Sequence, residues 1–173
     1  RSNFAPMAPH GIYPASGEDN WVAIACRTEA DWMAFCGIVD EPWSQNEQYR
    51  TVAARLAAED QLDSHVADWT VSRDKFEASQ SLQRAGVPAA PVQKPEERIE
   101  QDPTTANFGL WPVVTHTEIG EVRVDGQPVH FSKTDWAIKR GAPCLGEHNS
   151  EVLTGLLGYT VAELEQFKAE GVI

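Results

Sequence analysis

The first strongly patterned stretch of the chain is an unbroken apolar run over residues 21–26. A run of this length predicts a strand that is buried on both faces of a sheet. The preceding residues 17–20, Gly-Glu-Asp-Asn, predict a tight turn. Prolines recur through residues 1–20 and prevent a continuous helix there. We therefore predict a loop over 1–20 that leads into a buried strand.

Helical periodicity and capping residues predict four helices after this strand. Thr28 is a good N-cap, and the acidic residues at 29 and 31 suit the positive end of a helix dipole, so the first helix should run from Thr28 to about Gly37. The second is predicted to open at the capping-box pattern of residues 44–47, and the third to cover 61–69. The fourth is predicted to follow a cap at Ser72 and to end at a left-handed Gly86.

The pattern changes in the second half of the chain. Residues 87–92 contain two prolines, which favour an extended segment. A short helix is predicted over about 95–101, because proline suits a first helical position. Asp125-Gly126 lies between two short segments, 121–124 and 128–131, that are typical of strands. This arrangement predicts a β-hairpin that turns at Asp125-Gly126.

An extended arm is predicted after Lys133, where the periodicity stops. Two helices should close the chain, one over about 149–157 and one opening at the capping-box pattern of residues 160–163. We predict an α/β fold of the α+β kind: a small domain over 21–135, with a mainly antiparallel sheet covered by helices, and a helical C-terminal arm over 136–173.

Composition narrows the function classes. The 173 residues carry a net charge of −12, which disfavours a nucleic-acid partner because such binding needs a basic face. No apolar stretch approaches the roughly 20 residues of a membrane span, so no membrane partner is expected, and no secretory signal is present. The absence of an initiating methionine predicts a processed or partial chain. The cysteines at 26, 36 and 144 fit no zinc spacing, so we predict reduced thiols, no metal site and a cytoplasmic location.

Three segments, taken in their order and spacing, carry a resemblance to a known family. They are Pro-His-Gly-Ile-Tyr-Pro at 9–14 with the following residues 17–24, Gly-Val-Pro-Ala-Ala-Pro-Val at 86–92 with Asp102-Pro103, and Ala-Pro-Cys-Leu-Gly-Glu-His-Asn at 142–149 with residues 151–153 and 171–173. In this combination the chain resembles the C-terminal portion of the family III CoA-transferases, the CaiB/BaiF group. The third segment is the most specific of the three.

The resemblance implies a longer enzyme. Family members are roughly twice this length, combine a large Rossmann-like domain with a small α/β domain, and form interlocked homodimers. An Asp in the N-terminal half attacks an acyl-CoA, and an aspartyl-CoA thioester then passes CoA to a carboxylic acid. No segment here matches the one that carries this Asp, so we predict no catalytic residue in this chain and no activity of the chain alone. Coenzyme A is implied as a substrate, with no covalently bound cofactor.

Two segments are candidates for substrate or CoA contact. Ala8, Pro9, His10 and Gly11 are similar to the family's substrate-covering loop, where His10 could bind an acyl or carboxylate oxygen. Arg27, Thr28 and Glu29 follow the predicted strand and open a helix, at a turn that borders the CoA cleft in the family. Ordinary capping and a surface arginine remain the alternative interpretation of the second segment.

One departure from the family pattern bears on the substrate. Formyl-CoA transferase-like members place consecutive glycines before the first strand of the small domain, whereas residues 5–11 here contain two prolines and a histidine. Formyl and oxalyl substrates are therefore disfavoured. An α-methylacyl-CoA racemase-like enzyme and a non-catalytic assembly partner of a separate catalytic half remain alternatives. Residues 146–149, Gly-Glu-His-Asn, are interpreted as a structural turn.

Overall fold

The structure, a computed structural model, describes residues 6–173 and groups the chain into two compact units, Arg1–Lys94 and Pro95–Ile173. The first five residues of the predicted leading loop lie outside the described residues. Each unit has its own sheet, and both sheets are antiparallel, with three strands in the first unit and two in the second. The predicted fold class, helices with a mainly antiparallel sheet, is confirmed.

The sheet of the first unit consists of β1 (His10–Pro14), β2 (Trp21–Ala25) and β3 (Ala89–Val92), in the order β1-β2-β3. Strand β2 is the predicted apolar run, and β3 is the predicted extended segment. Strand β1 lies where the sequence predicts a loop. Pro9 before it and Pro14 at its end hide it in the sequence, yet Ile12 and Tyr13 pair with β2, and Pro14 is tolerated at the end of an edge strand.

The prediction that β2 is buried on both faces is wrong. Val22 and Ile24 point into the core and are at most 2% exposed, whereas Trp21 on the opposite face is 38% exposed. The register places Ile12, Ala23 and Ala90 side by side on that opposite face. The sheet of this unit is therefore covered by helices on one face, and its other face remains apolar and accessible.

The helices of the first unit are α1 (Glu29–Val39), α2 (Val52–Ala57), α3 (Glu59–Thr70) and α4 (Lys75–Arg84). Helices α3 and α4 pack on the inner face of the sheet, whereas α1 packs on α4 and α2 packs on α3. Two short 3₁₀ turns, Pro42–Gln45 and Glu47–Tyr49, connect α1 to α2. The core between helices and sheet holds an aromatic group in which Phe35 contacts Trp32, Trp43 and Trp69. Burying each large apolar side chain of this kind stabilises the fold by about 1.5–3 kcal/mol.

The helix starts show which capping predictions are correct. The Thr28 hydroxyl accepts from the Asp31 amide, and the Asp31 carboxylate accepts from the Thr28 amide. The predicted start of α1 is therefore confirmed. The capping box predicted at 44–47 is wrong, because these residues form 3₁₀ turns and Thr51 caps α2. Asp74 replaces Ser72 as the cap of α4, since its carboxylate accepts from two backbone amides. Gly86 has the predicted positive φ.

The second unit is built around a hairpin of β4 (Val113–His116) and β5 (Gly120–Arg123), preceded by a π-helical turn over Glu97–Gln101 and by α5 (Pro103–Phe108). The prediction of a turn at Asp125-Gly126 is wrong. The chain reverses before Gly120, and Gly126 is instead required because the Trp136 ring lies where a β-carbon would stand.

The segment after the hairpin is held by hydrogen bonds to α5 and to the hairpin. His130 lies between two acceptors: Nδ1 is 2.8 Å from an Asp135 carboxylate oxygen, and Nε2 is 2.9 Å from the carbonyl of Phe108, the last residue of α5. Further along, the Gly141 amide donates to the Thr115 carbonyl. Residues 95–173 therefore group together, while the domain limits predicted from the sequence, 21–135 and 136–173, stay a prediction.

The chain closes with a π-helical turn over Glu151–Leu156 and with α6 (Val161–Ala169), whose predicted capping box between Thr160 and Glu163 is confirmed. Apolar side chains of this region are accessible, with Leu156 78% exposed and Val161 69% exposed. Within residues 6–173, no helix combines the length and apolar character that crossing a membrane would require.

Candidate functional site

The structure brings the two predicted contact segments together at one end of the three-stranded sheet. His10, the first residue of β1, stands opposite Ala25, the last residue of β2. One step further along, the Cys26 amide donates to the Pro9 carbonyl at 2.9 Å. The stretch 8–11 thus runs beside the strand end that leads into 27–29. The sequence alone predicts 8–11 and 27–29 as two separate segments, and the antiparallel pairing of β1 with β2 makes them neighbours.

A cavity of about 660 Å³ lies on the accessible face of the sheet at this end. Its nine lining residues come from β1, β2, β3 and the residue before β3: His10, Gly11, Ile12, Ala23, Ile24, Ala25, Pro88, Ala89 and Ala90. Eight of them offer only apolar side chains or a glycine backbone, and His10 alone among them has a polar side chain. A concave apolar surface with one polar group at its edge is typical of a small-molecule site.

His10 has an unsatisfied nitrogen. Its Nδ1 is buried, and it has no hydrogen-bond partner among the described residues. A buried polar atom without a partner costs about 1–3 kcal/mol of stability, so such atoms are rare in folded proteins and often mark a site for a ligand or water. His10 lines the rim of the cavity, while its Nδ1 itself is covered by the surrounding protein.

The residues of the second segment have partners within the chain. Thr28 caps α1 as described above, and the Arg27 guanidinium lies 3.4 Å from the Asp31 carboxylate while its side chain stays 60% exposed. Burial opposes the ionisation of Asp31, but hydrogen bonds from Arg27 and Thr28 outweigh it and lower its pKa. Arg27 therefore remains accessible at the surface, whereas the Thr28 hydroxyl is used by the helix start.

Glu29 connects this helix start to a residue that sequence reasoning missed. One of its carboxylate oxygens accepts from the Val52 amide at 2.9 Å, and the other lies 2.9 Å from Nη1 of Arg55. The hydrogen bond from Arg55 lowers the pKa of Glu29. The Arg55 side chain is 1% exposed, which is exceptional for an arginine.

Arg55 also reaches the first segment. Its Nε donates to the Ala8 carbonyl at 2.7 Å, its Nη1 donates to the Tyr49 carbonyl at 3.0 Å, and its guanidinium lies 4.8 Å from the centre of the Trp32 ring. A signal is present in the sequence: the apolar periodicity puts Val52 and Leu56 on the inward side of their helix, and position 55 lies on that side as well.

The cysteine nearest this corner, Cys26, is buried. Burial raises the pKa of the Cys26 thiol to about 12, and burial likewise raises that of Cys36 to about 11. All three cysteines are free, as predicted, although Cys144 is only half-buried. Among residues 6–173 no group of three His, Cys, Asp or Glu side chains could hold a metal ion.

The turn at 146–149 behaves as a structural element. The Glu147 carboxylate accepts from the Cys144 amide at 2.6 Å, and the Asn149 amide donates to the Gly146 carbonyl. Gly146 has a positive φ of 72°, a conformation that glycine adopts without strain. The adjacent Glu147 and His148 belong to this turn in the second unit and are not among the residues that line the cavity described above.

Comparison with known proteins gives concordant matches. The family model described as CoA-transferase family III matches residues 2–149. A probable CoA-transferase of Mycobacterium tuberculosis is 29% identical over 166 residues, which are 95% of this chain and 21% of that protein. A formyl-CoA:oxalate CoA-transferase of Rhodopseudomonas palustris (strain TIE-1) is 30% identical over 141 residues, 81% of this chain and 33% of that protein.

A solved structure supports the same fold. A CaiB/BaiF family protein from Brucella suis superposes with a TM-score of 0.74 at 22% identity, covering 87% of this chain and 38% of that one. The chain thus spans about a fifth to a third of the length of the curated relatives it matches.

Proposed function

Because this chain belongs to CoA-transferase family III, we propose that it forms the small domain of an enzyme that moves CoA from an acyl-CoA to a carboxylic acid. The observation that carries the proposal is the family match over residues 2–149, and the apolar cavity that His10 lines agrees with it. The curated relatives described above are named as CoA-transferases, and the chain covers only part of each.

In this proposal the covalent chemistry takes place outside the chain. An Asp carboxylate of a large N-terminal domain attacks the thioester carbonyl, the carbon–sulfur bond breaks, and CoA leaves as a thiolate. The thiolate then attacks the aspartyl carbonyl of the mixed anhydride and releases the donor acid. The acceptor carboxylate repeats this sequence in reverse. The chain alone is therefore inactive, and at a net charge of −12 it binds the CoA anion weakly.

The role of this chain is to shape one wall of the reaction site. The His10 imidazole donates a hydrogen bond to an oxygen of the acyl group or of the acceptor carboxylate, and Arg27 meets an anionic group of CoA. Ala8, Pro9 and Gly11 hold the backbone of the covering loop, and Thr28 and Glu29 maintain the helix start beside it. The segment 136–173 docks on the large domain, and the enzyme is a cytoplasmic homodimer.

The apolar lining bears on the substrate. The formyl-CoA:oxalate relative is named for a small acyl group and a small dianion, and neither matches a surface of isoleucine, alanine and proline. The prolines and His10 in place of a glycine run support the same conclusion. We therefore propose acyl and acid substrates larger and less polar than formate and oxalate.

The test uses the full-length protein that carries this chain. It is incubated with a series of acyl-CoA donors and carboxylic acids, and new acyl-CoA species are measured by mass spectrometry. Transfer that requires both donor and acceptor, with a CoA thioester trapped on an Asp outside the chain, is the expected result. Solvent deuterium incorporation at the α-carbon without an acceptor would instead identify a racemase. Absence of both activities, or transfer by this chain alone, would contradict the proposal.

A further inference from the structure

Arg55 is a buried cation that contacts both candidate segments at once. We propose that Arg55 is a positioning residue: by holding the Ala8 carbonyl and the Glu29 carboxylate on one guanidinium, it sets the location of His10 relative to the start of α1. This inference rests on the proposed function, in which His10 contacts the substrate.

The contacts of Arg55 are directional rather than merely space-filling. Burial of an unpaired charge is costly, and an apolar side chain would fill this position more cheaply. Instead Nε lies 2.7 Å from the Ala8 oxygen, and Nη1 lies within 3.0 Å of both the Tyr49 carbonyl and the Glu29 carboxylate. A planar guanidinium fixes these directions together, whereas a lysine ammonium offers a single donor centre and cannot reproduce them.

The connection to His10 is short. Ala8 lies two residues before His10, and Pro9 between them is fully buried and accepts from the Cys26 amide through its carbonyl. The backbone of the loop is therefore held at Ala8 by Arg55 and at Pro9 by the strand end. Release of the first of these two attachments permits a shift of the His10 ring, and a misplacement of about 1 Å at a reacting group can lower a rate by about 100-fold.

Glu29 completes the arrangement from the other side. The Glu29 carboxylate accepts from the Val52 amide and from Arg55. Because Arg55 belongs to α2 and also donates to the Ala8 carbonyl, its guanidinium links both the start of α1 and the loop to α2. The second segment therefore contributes to the site through Glu29 and Arg55, and no substrate contact by Glu29 is needed. A Glu29→Gln variant keeps the hydrogen-bonding shape and removes the charge, so it should weaken the hold on Arg55 only in part.

The test compares Arg55→Lys with a core truncation in the same unit, Leu82→Ala, whose fully buried side chain belongs to α4. In the full-length protein we expect Arg55→Lys to lower kcat for CoA transfer by about 10- to 100-fold with little change in the KM for acyl-CoA. Leu82→Ala should lose thermal stability but keep kcat within about twofold. Equal effects of the two variants on kcat would overturn the proposal, because destabilisation alone would then explain the loss.

A second measurement reads the position of His10 directly. In the chain as it stands, the ring proton and carbon resonances of His10 are recorded by two-dimensional NMR. Arg55→Lys should displace them, Glu29→Gln should displace them less, and Leu82→Ala should leave them in place. Unchanged His10 resonances in folded Arg55→Lys would refute the positioning role. A wild-type protein without transfer activity would refute the proposed function, and the resonances would still decide the role of Arg55.

Discussion

The unpartnered Nδ1 of His10 leads to a prediction in which stability and function move in opposite directions. Replacing His10 by Phe removes a buried nitrogen that has no hydrogen-bond partner and leaves a ring of similar size at the edge of an open cavity. An unsatisfied buried group costs about 1–3 kcal/mol, so its removal should raise the free energy of unfolding by about 1 kcal/mol or more. In a unit of about 90 residues, 1 kcal/mol corresponds to roughly 4–8 °C in Tm.

The assay is thermal and urea unfolding of the chain, monitored through a spectroscopic signal of the first unit. His65→Phe is the matched control, because His65 lies in the same unit, is half-buried and stacks on Trp43 at 5.0 Å. Neither ring nitrogen of His65 is a buried unpartnered atom among those the structure describes. The control should therefore change Tm by no more than about 2 °C, since the stacking survives the substitution.

In the full-length protein the same His10→Phe variant should lose activity. A hydrogen bond to a charged group contributes about 1.5–3 kcal/mol, which corresponds to about a 10- to 150-fold decrease in CoA transfer. Such a trade-off is common where a functional residue is kept at the expense of stability. A destabilised His10→Phe chain would show that Nδ1 is satisfied in solution, and unaltered transfer would remove His10 from the reaction.

Three further predictions concern other parts of the chain. Thr28→Ala should lower the free energy of unfolding by about 1 kcal/mol, seen as a lower urea midpoint with an unchanged slope, because α1 loses its N-cap. Iodoacetamide at pH 8 should alkylate Cys144 in the native chain and spare Cys26 and Cys36, and mass-spectrometric labelling of either buried thiol would contradict this. The hydrogen bond to the Asp135 carboxylate raises the pKa of His130. The pair therefore stabilises the fold fully below about pH 6.5, and this contribution is lost as the pH rises through the raised pKa of His130. Hydrogen exchange over residues 129–136, corrected for intrinsic rates, should therefore be slower at pH 6 than at pH 8, and His130→Gln should abolish the difference.

The sequence by itself determined the elements whose signals are local. The capping box at Thr28 and the one at Thr160 specify their helix starts through side chains three residues apart, so no distant contact is needed. Strand β2 is likewise recognisable from its own composition. The family is also recognisable from the amino-acid sequence, because its three segments retain their order along the chain.

Only the tertiary structure decided which elements meet and what remains uncovered. Strand β1 exists because β2 offers it a partner, and no turn forms at Asp125-Gly126 because the Val124 and Gly126 amides donate to the Pro112 and Leu110 carbonyls. Whether a face of β2 is covered depends on helices far along the chain, which alternation within a strand does not specify. Arg55 is the clearest case. Its bonds reach residues 47 and 26 positions away, and such separations follow from packing rather than from any local pattern.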